Sequence, residues 1–275
     1  MKKIILFSPN GYVGGFLKEV LEKDSTIQLY EITRNDNLEQ YQSDYDILIY
    51  SASVTSARHA DVCKYVQDNV VAAISMMEFS KKHHVRRVIY LSSDEIYGEL
   101  NADKATDKSV MVNPNLYAAT KYLAEKIIIE SKIPYYILRL PGIVGRVWGK
   151  NFIYNLMDKM KSNERIHLYN MNRKFNNILH IDDLTLFVML LCNKPYDSGS
   201  DILLLGNTEY VRLKDIVFYI KNLYQSKSVI CNIETDQKRC FTLDVGKAVE
   251  YGYHSKDVSV ILDELYILRE GACDK

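Results

Sequence analysis

Two rhythms of apolar residues alternate along the first half of the chain. Short, largely apolar runs occur at KIILF (3–7), TIQLYEI (26–32), YDILIYSA (45–52), VRRVIYLSS (85–93) and PYYILRL (134–140). Between them, apolar residues recur every three or four positions: Phe16, Leu17, Val20 and Leu21; Val62, Val66, Val70, Ile74 and Met77; and a further segment over 115–131. The first rhythm predicts strands buried on both faces and the second predicts helices with one covered face. Strands of this kind separated by helices form a parallel sheet covered on both sides, so the expected fold is α/β, a doubly wound parallel sheet of Rossmann type. Ligands of such sheets lie beyond the carboxyl ends of the strands.

After Gly149 the rhythm is less regular: helix FIYNLMDKMK, strand IHLY, helix IDDLTLFVMLLC, strand DILLLG, helix LKDIVFYIKNLY and a last helix DVSVILDELYIL. This pattern predicts a first domain over 1–149 and a smaller α/β cap over 150–275, with parts of 176–206 returning to the first domain. A cleft between the two is the expected site.

The turn after the first strand, FSPNGYVGGFL, carries Gly11 and Gly14. Glycine there lets backbone N–H groups and a helix N-terminus approach a pyrophosphate, which makes Ser8, Asn10, Gly11, Tyr12, Val13 and Gly14 candidate cofactor contacts. Ser8 stands where the first glycine of the dinucleotide fingerprint is expected. An acid at the end of the second strand would bind the ribose hydroxyls of NAD, but YEITRND puts Thr33 and Arg34 there. A planar, charged multi-donor suits a 2′-phosphate, so NADP(H) is the preferred cofactor, with NAD(H) possible if Glu31 or Asp36 reaches the ribose. In NLYAATK, Tyr117 and Lys121 lie four apart on one helical face, where an ammonium favours the phenolate of a group whose ordinary pKa is about 10.

The glycine turn, Ser93 closing a strand and the Tyr117/Lys121 pair together resemble the extended short-chain dehydrogenase/reductase family, the sugar-nucleotide epimerases and dehydratases. The resemblance runs almost the whole length. YDILIYSAS is similar to the family's fourth strand and cofactor loop, which brings in Ser51 and Ala52; Asn69-Val70 resembles the Asn-Val of the next helix. LRLPGIVG resembles the segment passing the nicotinamide, hence Pro141, Gly142 and Ile143, and ILHIDDL and RCFTLDVGKA resemble later family segments. The resemblance implies that Tyr117 exchanges a proton with the substrate while the nicotinamide exchanges a hydride. It also implies that Lys121 binds the nicotinamide ribose and that Ser93 hydrogen-bonds the reacting oxygen. With the glycine turn, it implies that the first domain is dinucleotide-binding and the cap mainly substrate-binding. It suggests a homodimer built through two helices per subunit.

LSSDEIYG then has two readings. It resembles the Thr-Asp-Glu of sugar-nucleotide 4,6-dehydratases, with Glu95 removing the C5 proton and Asp94 protonating the departing C6 hydroxyl. Against that reading, the chain is compact and Thr33-Arg34 points to an exchangeable phosphorylated cofactor. The expected activity is therefore reduction of a 4-keto sugar nucleotide or C4 epimerisation, with dehydration as the alternative and a non-catalytic NADP-binding sensor as the rival outside enzymes. Family diphosphate arginines fall near Asn176 and at Arg239; the first is an asparagine here, with Arg173 close by. Asn151 is a further substrate-side candidate.

Charge and composition narrow the partners. Lys plus Arg and Asp plus Glu number 35 each, so no global field draws the chain to nucleic acid or an anionic membrane. Its five cysteines form no CxxC pair and suit a reducing, cytoplasmic setting. MKKIILFSPNG is too short an apolar stretch for a signal peptide, and LTLFVMLLC (184–192) is about half a membrane span. His180 reads as a satisfied interior histidine, and His83-His84 has no partner constellation in sequence, so no metal is expected.

Overall fold

The computed structural model describes residues 1–52, 60–197, 199–235 and 241–271. They form two compact units, one of Met1–Gly98, Met111–Leu140 and Thr185–Leu203, the other of Glu99–Val110, Pro141–Leu184 and Leu204–Lys275.

The first unit is built on strands β1 (Lys2–Phe7), β2 (Ile27–Ile32), β3 (Ile47–Tyr50), β4 (Arg87–Ser93), β5 (Tyr135–Leu140) and β6 (Asp201–Leu204), in the spatial order β6-β5-β4-β3-β1-β2. β2, β1, β3, β4 and β5 run parallel. β3 and β4 are buried along their entire length, which explains their nearly unbroken apolar sequence. Strand order reverses between β1 and β3, the topological switch point at which doubly wound sheets bind ligands. Only β2 lies beyond β1, where the usual dinucleotide-binding order has two strands. The 14 residues between Ile32 and Ile47 hold one short 3-10 turn, too little for another helix and strand. The strand registers align Phe7 with Ile32 and with Tyr50, and Ser93 with Leu140, so the segments following β1, β2, β3 and β4 share one edge.

Helices α1 (Tyr12–Glu22), α2 (Ala72–Lys82) and α3 (Leu116–Glu130) connect these strands. One face of the sheet packs Ile5, Leu48, Val88 and Ile137 against Met76 and Phe79 of α2 and Ala124 and Ile128 of α3. The segment leading into α2 departs from the expected single helix. It is α at Val62–Tyr65 and π at Val66–Val71. The wider π turn rotates the helix face, so the stripe predicted by a 3.6-residue period is split: Val70 and Met77 are buried, but Val62, Val66 and Ile74 are not. Val62, Val66 and Ile74 are 58%, 40% and 43% exposed, whereas Tyr65, Asp68, Asn69, Val70 and Ala73 are buried.

In the second unit, α4 (Phe152–Lys161), α6 (Leu213–Leu223) and α7 (Val258–Gly271) pack around the parallel pair Ile166–Tyr169 and Ile230–Ile233. Gly142–Val144 pairs with Ile178–His180. Helix α5 (Ile181–Cys192) starts in the second unit and continues into the first. Among the described residues, no helix is long and apolar enough to cross a membrane.

Candidate functional site

At the switch point, the turn from β1 to α1 is shaped by Ser8. Its φ of 70° lies in the left-handed region that favours glycine, and its carbonyl accepts the Gly11 N–H at 3.4 Å. The Ser51 hydroxyl, just beyond β3, donates to the carbonyls of Phe7 (2.8 Å) and Ser8 (3.3 Å), tying the two strand ends together. A Cβ on Gly14 would stand 2.1 Å from the Ser8 oxygen, so α1 approaches the turn as only glycine permits. Gly11 caps α1 in extended conformation with no side-chain hydrogen bond, and a Cβ there would meet nothing nearer than 3.7 Å. An exposed cap beside a helix N-terminus fits a pyrophosphate. Asn10 and Tyr12 are exposed around this turn, Val13 is half-buried and Ala52 is buried.

At the end of β2, Arg34 is engaged. One guanidinium nitrogen lies 2.6 Å from the Asp68 carboxylate on the π turn, and Lys64 reaches the same oxygen at 2.9 Å. The two acids considered for the ribose have other partners: Glu31 pairs with Lys18 of α1 at 2.7 Å, and Asp36 accepts the Thr33 N–H at 2.7 Å.

Ser93, Tyr117 and Lys121 are all buried. Ser93 ends β4, and its oxygen accepts the Glu95 N–H at 3.2 Å, capping the 3-10 turn Asp94–Tyr97. An accepting hydroxyl keeps its proton for donation. Tyr117 lies in the first turn of α3, with its ring 6.3 Å from that of Tyr65. One turn later, the Lys121 ammonium donates to the Leu91 carbonyl of β4 at 2.5 Å and lies 4.2 Å from the centre of the Tyr90 ring. Burial lowers the Lys121 pKa to about 7, against the opposing pull of the Glu125 carboxylate. Asn69 donates to Thr120 at 3.0 Å and Thr120 donates to the Tyr117 carbonyl at 2.8 Å, which joins the π turn to α3. Asn115 caps α3 by accepting the Ala118 N–H at 2.8 Å, and its amide donates to Glu95 at 3.0 Å. Asp94 and Glu95 are half-buried.

Beneath these residues is a buried polar network that the sequence reading missed. Arg139 of β5 donates to both Glu125 oxygens, at 3.2 and 2.8 Å, and to the Tyr97 hydroxyl at 2.8 Å. Ser92 donates to Glu125 at 2.5 Å. Two clues were present: an arginine inside the apolar strand YYILRL, and a glutamate one turn beyond Lys121 on the same helix face.

Within the second unit, Asn151 caps α4 by accepting the Tyr154 N–H at 3.1 Å and donates to the Ile143 carbonyl at 2.9 Å. Pro141 is buried, Gly142 exposed and Ile143 half-buried. Arg173 is exposed. Asn176 is fully buried; it donates to the carbonyls of Asn207 and Leu243 and accepts the Leu243 N–H at 2.8 Å. Its amide is committed to the backbone, which leaves it no means of reaching a substrate. Arg239 lies outside the described residues. His180 is buried, accepts the Asp182 N–H at 3.2 Å and lies 3.3 Å from Glu264.

Comparison with known proteins adds an independent line. The sequence profile of the NAD dependent epimerase/dehydratase family matches residues 13–206. A dTDP-D-glucose 4,6-dehydratase of Dictyostelium discoideum is 25% identical over 179 residues, which is 57% of this chain but only 41% of that relative's length. Among solved structures, MoeE5 in complex with UDP-glucose and NAD superposes with a TM-score of 0.79 at 19% identity, covering 99% of this chain and 100% of that one. UDP-glucuronic acid 4-epimerase from Bacillus cereus, bound to UDP-glucuronic acid and NAD, superposes with a TM-score of 0.81 at 16% identity over 98% and 99% of the two chains. At such identities these structures support the shared fold.

Proposed function

The chain belongs to the NAD dependent epimerase/dehydratase family, and from that membership we propose that it is an NAD(P)-dependent enzyme acting at C4 of a nucleotide-linked hexose. The observation that carries this reading is the group at the carboxyl edge of β4, where Ser93 ends the strand and the buried Lys121 ammonium, one turn after Tyr117 on α3, donates to the Leu91 carbonyl of that strand.

A bound nicotinamide supplies or accepts the hydride. Tyr117 handles the proton: when C4 is oxidised, the hydroxyl proton passes to its phenolate as hydride leaves the carbon, and reduction reverses both transfers. Lys121, when protonated, favours the phenolate by its charge. Ser93 donates its hydroxyl proton to the C4 oxygen while accepting the Glu95 N–H. Gly11, Gly14 and the first turn of α1 hold the pyrophosphate. Of the second unit's candidates, Arg173 presents an exposed guanidinium suited to a substrate phosphate.

The resemblance to a 4,6-dehydratase favours a second reading, in which Glu95 takes the C5 proton and Asp94 protonates the C6 leaving group. The hydrogen bond from Asn115 to Glu95 favours the first, because it gives that carboxylate a part in holding the helix that carries Tyr117. Turnover of a nucleotide-hexose in deuterium oxide separates them. Redox at C4 alone leaves C5 unlabelled and keeps the C6 hydroxyl; in dehydration the hydride taken from C4 returns to C6 and the solvent proton goes to C5, so deuterium at C5 in a product that has lost its C6 hydroxyl would establish it.

The exposed Val62, Val66 and Ile74, with Leu116 and Leu123 of α3, supply an apolar surface through which we propose that two copies associate.

A further inference from the structure

Two adjacent residues of the π turn face different targets. Asn69 reaches Thr120 on α3, while Asp68 reaches Arg34 at the end of β2. Both are buried, and so is Val70 after them. A regular α-helix turns about 100° per residue and seldom buries three consecutive side chains; the wider π turn allows it. The helix thus departs from its regular geometry where a carboxylate meets the arginine best situated to read a 2′-phosphate.

We infer that Asp68 sets the dinucleotide preference by acting as an internal competitor for Arg34. The inference rests on the proposed binding of a dinucleotide at the β1–α1 turn. A guanidinium holding a carboxylate at 2.6 Å has much of its charge neutralised. A 2′-phosphate must then displace Asp68 or approach Arg34 with a like-charged neighbour beside it, and either course weakens binding. Lys64 offsets this only in part, because its side chain is 52% exposed and screened by solvent. The ribose of NAD carries no charge at that position and avoids the competition. Arg34 therefore does not by itself make the protein selective for NADP(H), contrary to what its place in the sequence suggests; the Arg34–Asp68 pair admits NAD(H) on at least equal terms.

Fluorescence titration of the nucleotide-free protein with NADH and NADPH tests this directly. The wild-type dissociation constants are expected to agree within about threefold or to favour NADH. Asp68→Asn removes the competing charge and should tighten NADPH about tenfold, leaving NADH within about twofold. Asp68→Ser, a shorter neutral replacement, should shift the ratio in the same direction, and adding Arg34→Ala to either variant should abolish the gain. An unchanged NADPH-to-NADH ratio in the Asp68 variants, or a shift toward NADH, would overturn the inference while leaving the cofactor site intact. Failure of the wild-type protein to bind either dinucleotide would instead overturn the proposed function on which the inference depends.

Discussion

Lys121 is the residue on which the proposed chemistry depends most strongly. Burial brings its folded pKa down to about 7 from the 10.5 of an exposed lysine. Between those values the unfolded chain binds more protons than the folded one, so this residue makes stability rise with pH through that window; below about pH 7 the full cost of a buried charge remains. The melting temperature of Lys121→Met relative to wild type should therefore be most favourable at pH 7 and decline toward pH 9. A difference independent of pH would show that the ammonium is not desolvated. Ser8 illustrates a different limit. It stands in for a fingerprint glycine and adopts a glycine-like φ of 70°, at a cost of roughly 1–2 kcal/mol. The glycine-rich turn was legible although one of its glycines is missing, because Gly11 and Gly14 remain at the strand-to-helix junction. Tyr117, Lys121 and Ser93 stood out as candidates through the family resemblance that the glycine turn, the strand-ending serine and the Tyr-x-x-x-Lys spacing carry together. Asp68 was not, because its meaning depends on Arg34, 34 positions earlier in the chain.

At the scale of elements, α3 is held to β4 and β5 by the network of Glu125, Arg139, Tyr97 and Ser92. Glu125→Gln leaves Arg139 as a buried charge without its counter-ion and should cost about 3 kcal/mol. Replacing both partners with apolar side chains, Glu125→Leu with Arg139→Met, should recover part of that loss. Urea unfolding of the single and double variants measures both; equal losses in the two would mean the charges contribute no coupling. β3 and β4 were legible because complete burial demands a largely apolar sequence. The helix before β4 was legible as a helix, with Val70 and Met77 on its buried face, but the exposure of Val62, Val66 and Ile74 was not, since a 3.6-residue period cannot anticipate a π turn. The Arg139–Glu125 pair was hidden for a related reason: a lone charge in an apolar run shows its partner only once the chain has folded.

At the scale of the whole molecule, a balanced net charge leaves ligand recognition to local donors, such as those proposed at the glycine turn. The exposed Val66 and its apolar neighbours predict self-association. Sedimentation should find a dimer that Val66→Glu converts to monomer, and a monomeric wild-type protein at micromolar concentration would rule this interface out. Above these predictions stands the claim that Tyr117 carries a proton beside a bound nicotinamide. The most direct measurement mixes the dinucleotide-loaded protein with nucleotide-hexoses and follows conversion of the sugar, comparing wild type with Tyr117→Phe. The account predicts that the variant loses about 10²-fold or more of the rate while its dinucleotide dissociation constant stays within about twofold; a variant that turns over at the wild-type rate would contradict it.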